Sequence, residues 1–358
     1  MPACFAMRLK TVLIIIAALP VVLLALFFLY SYLLSPPGSG RDLSREIGVP
    51  FPALMAHRGA SGLAPEETRP AYLLARELGA DYLEADIQRT KDGVLIALHD
   101  DDLSRTTNIA EVFPDRAKDS VDTFTYAELQ KLDAGSWFNK THPQWARPSF
   151  VGVKILTLAE LIDIADGGYH KPGLYLETKS PERFPGIEKQ IVDLLTARGW
   201  LGKQTALEAE ESSLEETPMD APDRVRVREM PGRVIVQSFS ADSLEIFREL
   251  APEVPRVFLF GQYTVEEMGS FESVLEQALA VDSHAGPSGY MAWPWYTSKI
   301  HSRGMIVHYY TINQSWQMWL INQFGADGIF TDRIDIALDY FGRLEEPDLE
   351  QYFQKIDY

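Results

Sequence analysis

His57, Arg58, the pair Glu84 and Asp86, and His99 fall within one stretch, His57 to Asp100. It opens Met55-Ala56-His57-Arg58-Gly59-Ala60, passes through Tyr82-Leu83-Glu84-Ala85-Asp86-Ile87 and closes Ile96-Ala97-Leu98-His99-Asp100. Imidazoles titrate near neutral pH, so His57 and His99 can serve as an acid and a base. Glu84 and Asp86 offer the hard oxygen ligands that suit Ca²⁺ or Mg²⁺. The Arg58 guanidinium matches a phosphate group. Together these residue types point to metal-assisted phosphodiester chemistry. Glu84 and Asp86 alone could be ordinary surface carboxylates; His57, Arg58 and His99 beside them weigh against that.

These residues need strands to hold them. Asp81 to Thr90 and Val94 to His99 both read as strands, with only Lys91-Asp92-Gly93 between them. Asp-Gly is a tight-turn signal, and a parallel crossover needs a dozen or more residues, so a hairpin is expected. Pairing about the turn would set Glu84 opposite His99 and Asp86 opposite Ala97. Glu84 and Asp86 share a face because the side-chain period of a strand is two.

The rest of the chain supplies the frame. Val49 to Ala56 reads as a first buried strand and Pro70 to Leu78 as a helix stopped by Gly79. Further strands are expected at Gly173–Lys179, Val234–Phe239, Arg256–Phe260, Met305–Asn313 and Asp327–Thr331. Helices are expected at Thr157–Ala165, Ile187–Gly199, Asp242–Leu250, Val265–Ala280, Ser315–Phe324 and Ile334–Phe341. Counting the hairpin as two, the strands number eight and most are followed by helices. That pattern predicts an α/β fold, a TIM-type (β/α)₈ barrel over residues 51–342 with the second and third strands as an irregular pair.

Two segments break the pattern. Residues 108–153, after the third strand, are polar and aromatic without a sustained period. They read as an insertion with a short helix at Asp122–Leu132 and a small core of its own at Trp137 and Phe138, either a lid over the site or a plain excursion. Residues 202–232 are strongly acidic and cannot bury enough apolar surface to fold alone, so they read as a mobile insertion. Trp293, Trp295 and Tyr296 fall in a loop-like run and are expected to pack in the core, with a pocket wall or membrane contact as the alternative. The acidic tail, residues 343–358, has no evident role. His142, His170, His284, His301 and His308 have surface or core roles as their default reading.

The net charge of −18 argues against nucleic acid as a partner. The one cysteine, Cys4, leaves no intrachain disulfide. Arg8 and Lys10 precede an uncharged apolar run, Thr11 to Leu34, long enough to span a bilayer. The N-terminus thus reads as a cytoplasmic segment (1–10), a transmembrane signal anchor (11–34) and a flexible linker (35–50), with the barrel outside the cytoplasm. Secretion or a periplasmic location after signal cleavage is the alternative.

Taken together, these residues resemble the glycerophosphodiester phosphodiesterase family. The likeness rests on His57-Arg58-Gly59-Ala60-Ser61-Gly62, Pro65-Glu66-Glu67-Thr68, Glu84-Ala85-Asp86, Thr90-Lys91-Asp92-Gly93 and His99-Asp100. It continues through Glu177-Thr178-Lys179, Tyr310-Thr311-Ile312-Asn313 and Asp327-Gly328-Ile329-Phe330-Thr331-Asp332. The resemblance implies a TIM-type barrel that hydrolyses glycerophosphodiesters to glycerol 3-phosphate and an alcohol. It further implies one Ca²⁺ or Mg²⁺ held by Glu84, Asp86 and Glu177, catalytic His57 and His99, and substrate contacts from Arg58, Lys179 and Tyr310. Two positions depart from the family pattern. Glu67 stands where Asn or His is usual, and Tyr310 where Trp is frequent.

The chemistry expected is attack by the glycerol 2-hydroxyl on phosphorus, with His57 as base, His99 as acid and water opening the cyclic phosphate. A lysophospholipase D or sphingomyelinase-D-like enzyme on the same rim would be distinguished by an apolar acyl channel. A non-catalytic membrane-tethered binding module would be marked by a lost histidine or ligand, and none is lost.

Overall fold

The computed structural model describes residues 2–202 and 226–358, with side chains from residue 18 onward. The N-terminal run forms one helix, α1 (Pro2–Leu34), followed by α2 (Arg41–Glu46). Then come β1 (Ala53–Ala56), α3 (Arg69–Leu78), β2 (Tyr82–Arg89) and β3 (Leu95–Ala97). Short helices α4 (Ile109–Val112), α5 (Tyr126–Leu129) and α6 (Ser136–Thr141) precede α7 (Leu158–Asp166), β4 (Gly173–Thr178) and α8 (Ile187–Ala197). After the undescribed residues come β5 (Val234–Ser238), α9 (Ala241–Leu250), β6 (Arg256–Phe260), α10 (Gln262–Met268), α11 (Phe271–Ala280) and β7 (His284–Pro287). The chain ends with α12 (Pro294–His301), β8 (His308–Tyr309), α13 (Ser315–Gln323), β9 (Gly328–Thr331), α14 (Ile334–Tyr340) and α15 (Leu349–Lys355).

Eight of these strands pair in parallel in the order β7-β6-β5-β4-β2-β1-β9-β8. Parallel bridges Ala285–Val307 and Ser288–Tyr310 join β7 to β8 and close the ring. β3 lies off the ring; it pairs antiparallel with β2, and its Ile96 also bridges Thr157. The TIM-type expectation therefore holds for the barrel, whose eight strands differ in one member from those expected. The hairpin's second arm is not a barrel strand, and the true sixth strand is His284-Ala285-Gly286-Pro287. That strand carries Gly and Pro and no β-branched residue, so it lacks the composition by which strands are recognised. The Met305–Asn313 strand shrinks to β8.

The alternation of strands divides the core in two. Ala53, Met55, Tyr82, Tyr175, Ile235, Val257, Leu259 and Phe330 fill the barrel interior. Leu54, Ala56, Leu83, Ala85, Leu174 and Leu176 face outward against the helices. By the same parity Glu84 and Asp86 follow Tyr82 into the interior, and Glu177 follows Tyr175.

The hairpin register sits one residue from the sequence expectation. Ile87, not Asp86, opposes Ala97. Thr90 sets this: its N–H donates to the Val94 carbonyl at 2.9 Å and its Oγ1 accepts the Val94 N–H at 3.0 Å.

Residues 108–153 do not form a core of their own. Phe124, Leu129, Phe138 and Phe150 belong to the same buried cluster as the barrel's outer layer. Their short helices carry too few apolar residues to bury one another. They brace the hairpin instead, through Lys91 N–H on the Phe124 carbonyl (2.8 Å) and Tyr126 N–H on Asp92 (2.9 Å). Phe150 also meets Phe353 of α15, which buries Tyr352 and Phe353, so the acidic tail is part of the packed domain. The expected Asp122–Leu132 helix is reduced to α5. The acidic insertion falls largely on residues 203–225, outside the described residues.

The linker is not free either. Ser44 and Val49 are fully buried, and the Gly232 N–H donates to the Gly48 carbonyl, closing the barrel's N-terminal end. Among the described residues no helix is long and apolar enough to cross a membrane; side chains 11–17 of the expected anchor lie outside them.

A buried ion pair fastens the C-terminal segment to the barrel. Arg343 Nη1 lies 3.0 Å from Asp81 Oδ2, and Asp81 also accepts the Leu54 N–H at 2.9 Å while being fully buried. Arg343→Ala would strand a buried carboxylate. Loss of stability on the order of 3 kcal/mol or more is expected, read as a lower urea midpoint at unchanged slope.

Candidate active site

The barrel mouth gathers what the strands carry inward. Asp86 on β2 is in register with Glu177 on β4, and Glu177 with Gln237 on β5. Glu84, Asp86 and Glu177 are almost fully buried, and one oxygen from each lies within 4.8 Å of the others. That is the span of oxygens that share one hard cation at ~2.0–2.6 Å.

Burial and mutual repulsion raise the pKa of Glu84 and of Glu177 well above the usual carboxylate range. Asp86 lies below it. Burial opposes its charge, but Lys179 and Arg58 more than offset that. Among the described residues Asp86 Oδ2 has no hydrogen-bond donor, only the Arg58 Nε charge at 3.0 Å, and the neighbouring Gln237 Oε1 has no partner. Crowded, destabilised carboxylates with unmet oxygens are the donor set a divalent cation fits.

Two cations flank the carboxylates. Arg58 adopts a left-handed backbone (φ 55°), which aims its N–H at Glu84 Oε2 (2.7 Å) while its guanidinium reaches Asp86 and Glu66. Gly59 continues the left-handed turn, and a Cβ there would lie 2.7 Å from the Ala71 backbone. Lys179 Nζ lies 2.8 Å from Glu177 and 3.5 Å from Asp86.

Each histidine is oriented by an aspartate. His57 Nδ1 sits 2.6 Å from Asp332 Oδ1, and Asp332 also accepts from Ser61 (3.1 Å) and Asn313 (2.7 Å). Burial opposes ionisation of Asp332, but the His57, Asn313 and Ser61 bonds hold its pKa at about 2. His99 Nδ1 sits 2.7 Å from Asp100 Oδ1, and Arg105 ties Asp100 to Glu66. Gln88 Nε2 donates to the carbonyls of Leu98 (2.7 Å) and Asp100 (2.9 Å), fixing the His99 loop onto β2.

The two imidazoles are tuned apart. Burial disfavours a charge on His57, but the Asp332 bond and the Glu84 charge outweigh it, so its pKa lies above the ordinary value. Burial also disfavours a charge on His99. Arg58 and Lys179 add to that, Asp86 and Asp100 do not overcome it, and the pKa falls.

The structure brings together all eight site residues expected from the sequence. His57, Arg58, Glu84, His99, Glu177, Lys179 and Tyr310 line one pocket of about 140 Å³, and Asp86 lies among its carboxylates. The Tyr310 hydroxyl donates to the Phe260 carbonyl at 3.0 Å, so its ring is what faces the pocket. Sequence reasoning missed Asp332, Asp100, Gln237 and Arg105 as functional groups. Gln237 could have been found as a polar residue inside an apolar strand. Glu67 does not face solvent: it is buried, and its Oε1 accepts the Asp86 N–H at 2.8 Å. Among the other histidines, His308 is buried against the Tyr175 hydroxyl at 3.1 Å. Trp293 and Trp295, expected in the core, are 41% and 37% exposed and stack on each other at the start of α12. Pro294 at the first helical position starts that helix, which the aromatic run concealed.

The profile of the glycerophosphoryl diester phosphodiesterase family matches residues 57–336. A glycerophosphodiester phosphodiesterase of Bacillus subtilis is 35% identical over 318 residues, covering 88% of this chain and 96% of the relative. A phosphodiesterase of Oleispira antarctica, solved in complex with the product sn-glycerol-3-phosphate, superposes with a TM-score of 0.57 at 26% identity, over 81% of this chain and 97% of that one. A glycerophosphodiester phosphodiesterase of Agrobacterium tumefaciens shares the fold, with a TM-score of 0.55 at 23% identity over 79% of this chain and 97% of its own.

Proposed function

The chain belongs to the glycerophosphoryl diester phosphodiesterase family, and we infer that it hydrolyses glycerophosphodiesters to glycerol 3-phosphate and an alcohol. The observation that carries this reading is the convergence of two aspartate-oriented histidines on a buried three-carboxylate cluster in one pocket. Glu84, Asp86 and Glu177 would hold one Ca²⁺ or Mg²⁺. Such an ion supplies Lewis-acid charge at a phosphate oxygen.

Arg58 and Lys179 place fixed positive charge where phosphate charge develops. The glycerol 2-hydroxyl, held beside the phosphorus, is the nucleophile. The tuning of the imidazoles favours the reverse of the pairing expected from sequence. His99, neutral at rest, takes the hydroxyl proton through its Nε2. His57, which holds a proton more readily, gives one to the leaving alkoxide. Water then opens the cyclic phosphate with the two roles exchanged.

This pairing sets a pH dependence. His99 must be neutral, so activity rises as pH climbs through its lowered pKa. His57 must be charged, so activity falls as pH climbs through its raised pKa. A bell-shaped kcat/KM profile is expected, broad because the two values are pushed apart on either side of the usual imidazole range of about 6.5. Asp332→Asn, which removes the bond that raises His57, should move the alkaline limb down in pH and leave the acid limb in place.

The test of the function is direct. The full-length chain, incubated with glycerophosphocholine and glycerophosphoethanolamine in Ca²⁺, Mg²⁺ or chelator, should release glycerol 3-phosphate only when a divalent cation is present. Product formation in excess chelator would overturn the cation reading. No product in either cation, from folded protein, would overturn the function.

We also propose that α1 tethers the chain to a membrane, with the barrel outside the cytoplasm. Leu19, Val21, Val22, Leu23, Leu24, Leu26, Leu29 and Leu33 are each more than half exposed on it, an apolar surface that lipid would cover. Protease protection of the barrel in sealed vesicles, lost on permeabilisation, would establish the orientation.

A further inference from the structure

A second cavity, of about 570 Å³, adjoins the catalytic pocket and shares Tyr310 and Thr311 with it as a common wall. It lies between the loop after β7, the segment after β8 and α13. Its lining includes Trp293, Ile312, Trp316, Leu320, Ile321 and Phe324, and no charged side chain among the described residues. The catalytic pocket, by contrast, is about 140 Å³ and lined by charge. A site of roughly 300–1,000 Å³ holds a small organic ligand, and an apolar lining rewards an apolar one.

Position gives the occupant. Phe27 and Phe28 of α1 pack on Phe324, and Phe28 also on Trp319, so α1 lies along the outer side of the helix that walls the cavity. Ser39 bonds His301 at the far end of α12 (3.0 Å), whereas Phe28 reaches the middle of α13. Traced backward, α1 therefore climbs from the closed end of the barrel toward the catalytic end. At that end Tyr290 is 95% exposed and Trp316 65%. Exposed tryptophan and tyrosine beside an apolar helix are the residues that settle at a lipid–water boundary.

We propose that this cavity binds the single acyl or alkyl chain of a glycerophosphodiester whose glycerol still carries one, so that the enzyme acts on lysophospholipids. The inference rests on the phosphodiesterase reading above and names the substrate class of that same site. With 1-acyl lysophosphatidylcholine, the 2-hydroxyl oxygen bonds to phosphorus and the bond from phosphorus to the choline oxygen breaks. His99 takes the hydroxyl proton and His57 protonates the departing choline. Water then adds across the cyclic phosphate, giving lysophosphatidic acid.

The experiment compares kcat/KM for glycerophosphocholine with 1-acyl lysophosphatidylcholines of increasing chain length, kept monomeric, using the full-length chain in nanodiscs with a divalent cation. The expected result is a rise of about two- to fourfold per methylene until the cavity is full. Leu320→Gln and Trp316→Ala should each lower the ratio of long-chain to chainless activity by tenfold or more. A second reading does not need turnover. Tryptophan emission should shift blue on titration with dodecylphosphocholine, and Trp316→Ala should weaken that binding.

Hydrolysis of glycerophosphocholine with a flat or falling chain-length series would overturn the inference and leave the phosphodiesterase reading intact. A preference for choline over ethanolamine without chain-length dependence would also overturn it, making the aromatic residues a cage for a quaternary ammonium. No hydrolysis of any substrate would overturn the phosphodiesterase reading and this inference with it.

Discussion

His57→Ala and His99→Ala are each expected to lower kcat/KM by about 10²- to 10⁴-fold on a glycerophosphodiester with an ordinary alcohol leaving group. They part company when the leaving group is p-nitrophenol. A phenolate departs without a proton, so the variant that has lost the proton donor regains most of its rate. The variant that has lost the base does not, because the 2-hydroxyl must still be deprotonated. Rescue is expected for His57→Ala and not for His99→Ala, since the Asp332 bond and Glu84 favour a proton on His57 while burial, Arg58 and Lys179 disfavour one on His99. Rescue of His99→Ala instead would restore the pairing expected from sequence. Rescue of neither would show that leaving-group protonation does not limit the rate.

Asp86→Asn is expected to abolish the proposed metal-dependent turnover. Loss of an outer-shell partner costs a metal site roughly 10- to 100-fold in affinity. Loss of the most acidic of three ligands should exceed that, and titration calorimetry with Mn²⁺ or Ca²⁺ would measure it. Glu84 and Glu177 add a pH signature. Their pKa values are raised, so part of the population is protonated near neutral pH and must release its protons when a cation binds. Affinity should therefore fall as pH drops, and the apparent enthalpy should vary with the buffer's heat of ionisation. Unchanged cation binding in Asp86→Asn would sink the assignment of these carboxylates as ligands.

The site was legible in sequence wherever chemistry sits close along the chain. Glu84 and Asp86 face together because strand parity is two, which does not depend on the hairpin register, one residue from that expected. What escaped notice were groups whose role depends on closure of the ring. Asp332 reaches His57 across 275 positions, and no local period announces such a contact. The sixth barrel strand escaped because parallel pairing on both sides, not β propensity, makes His284–Pro287 extended. α12 escaped for the opposite reason: its Trp and Tyr residues hid a proline-started helix.

One feature of the fold bears on the order in which this enzyme assembles. His99 is not carried on a barrel strand of its own but hangs from β2, through the hairpin and the Gln88 bonds. Glu84, Asp86 and His99 are thus joined by local contacts, which close early because little chain entropy is lost. His57 meets Asp332 only when β9 docks beside β1, the pairing of widest sequence separation in the ring. During refolding, amides of the hairpin should gain hydrogen-exchange protection before those of β9. The last seam to close is then the one that completes the proposed proton-transfer pair, so on that reading an unfinished chain can begin to gather its carboxylates without yet being able to cleave anything.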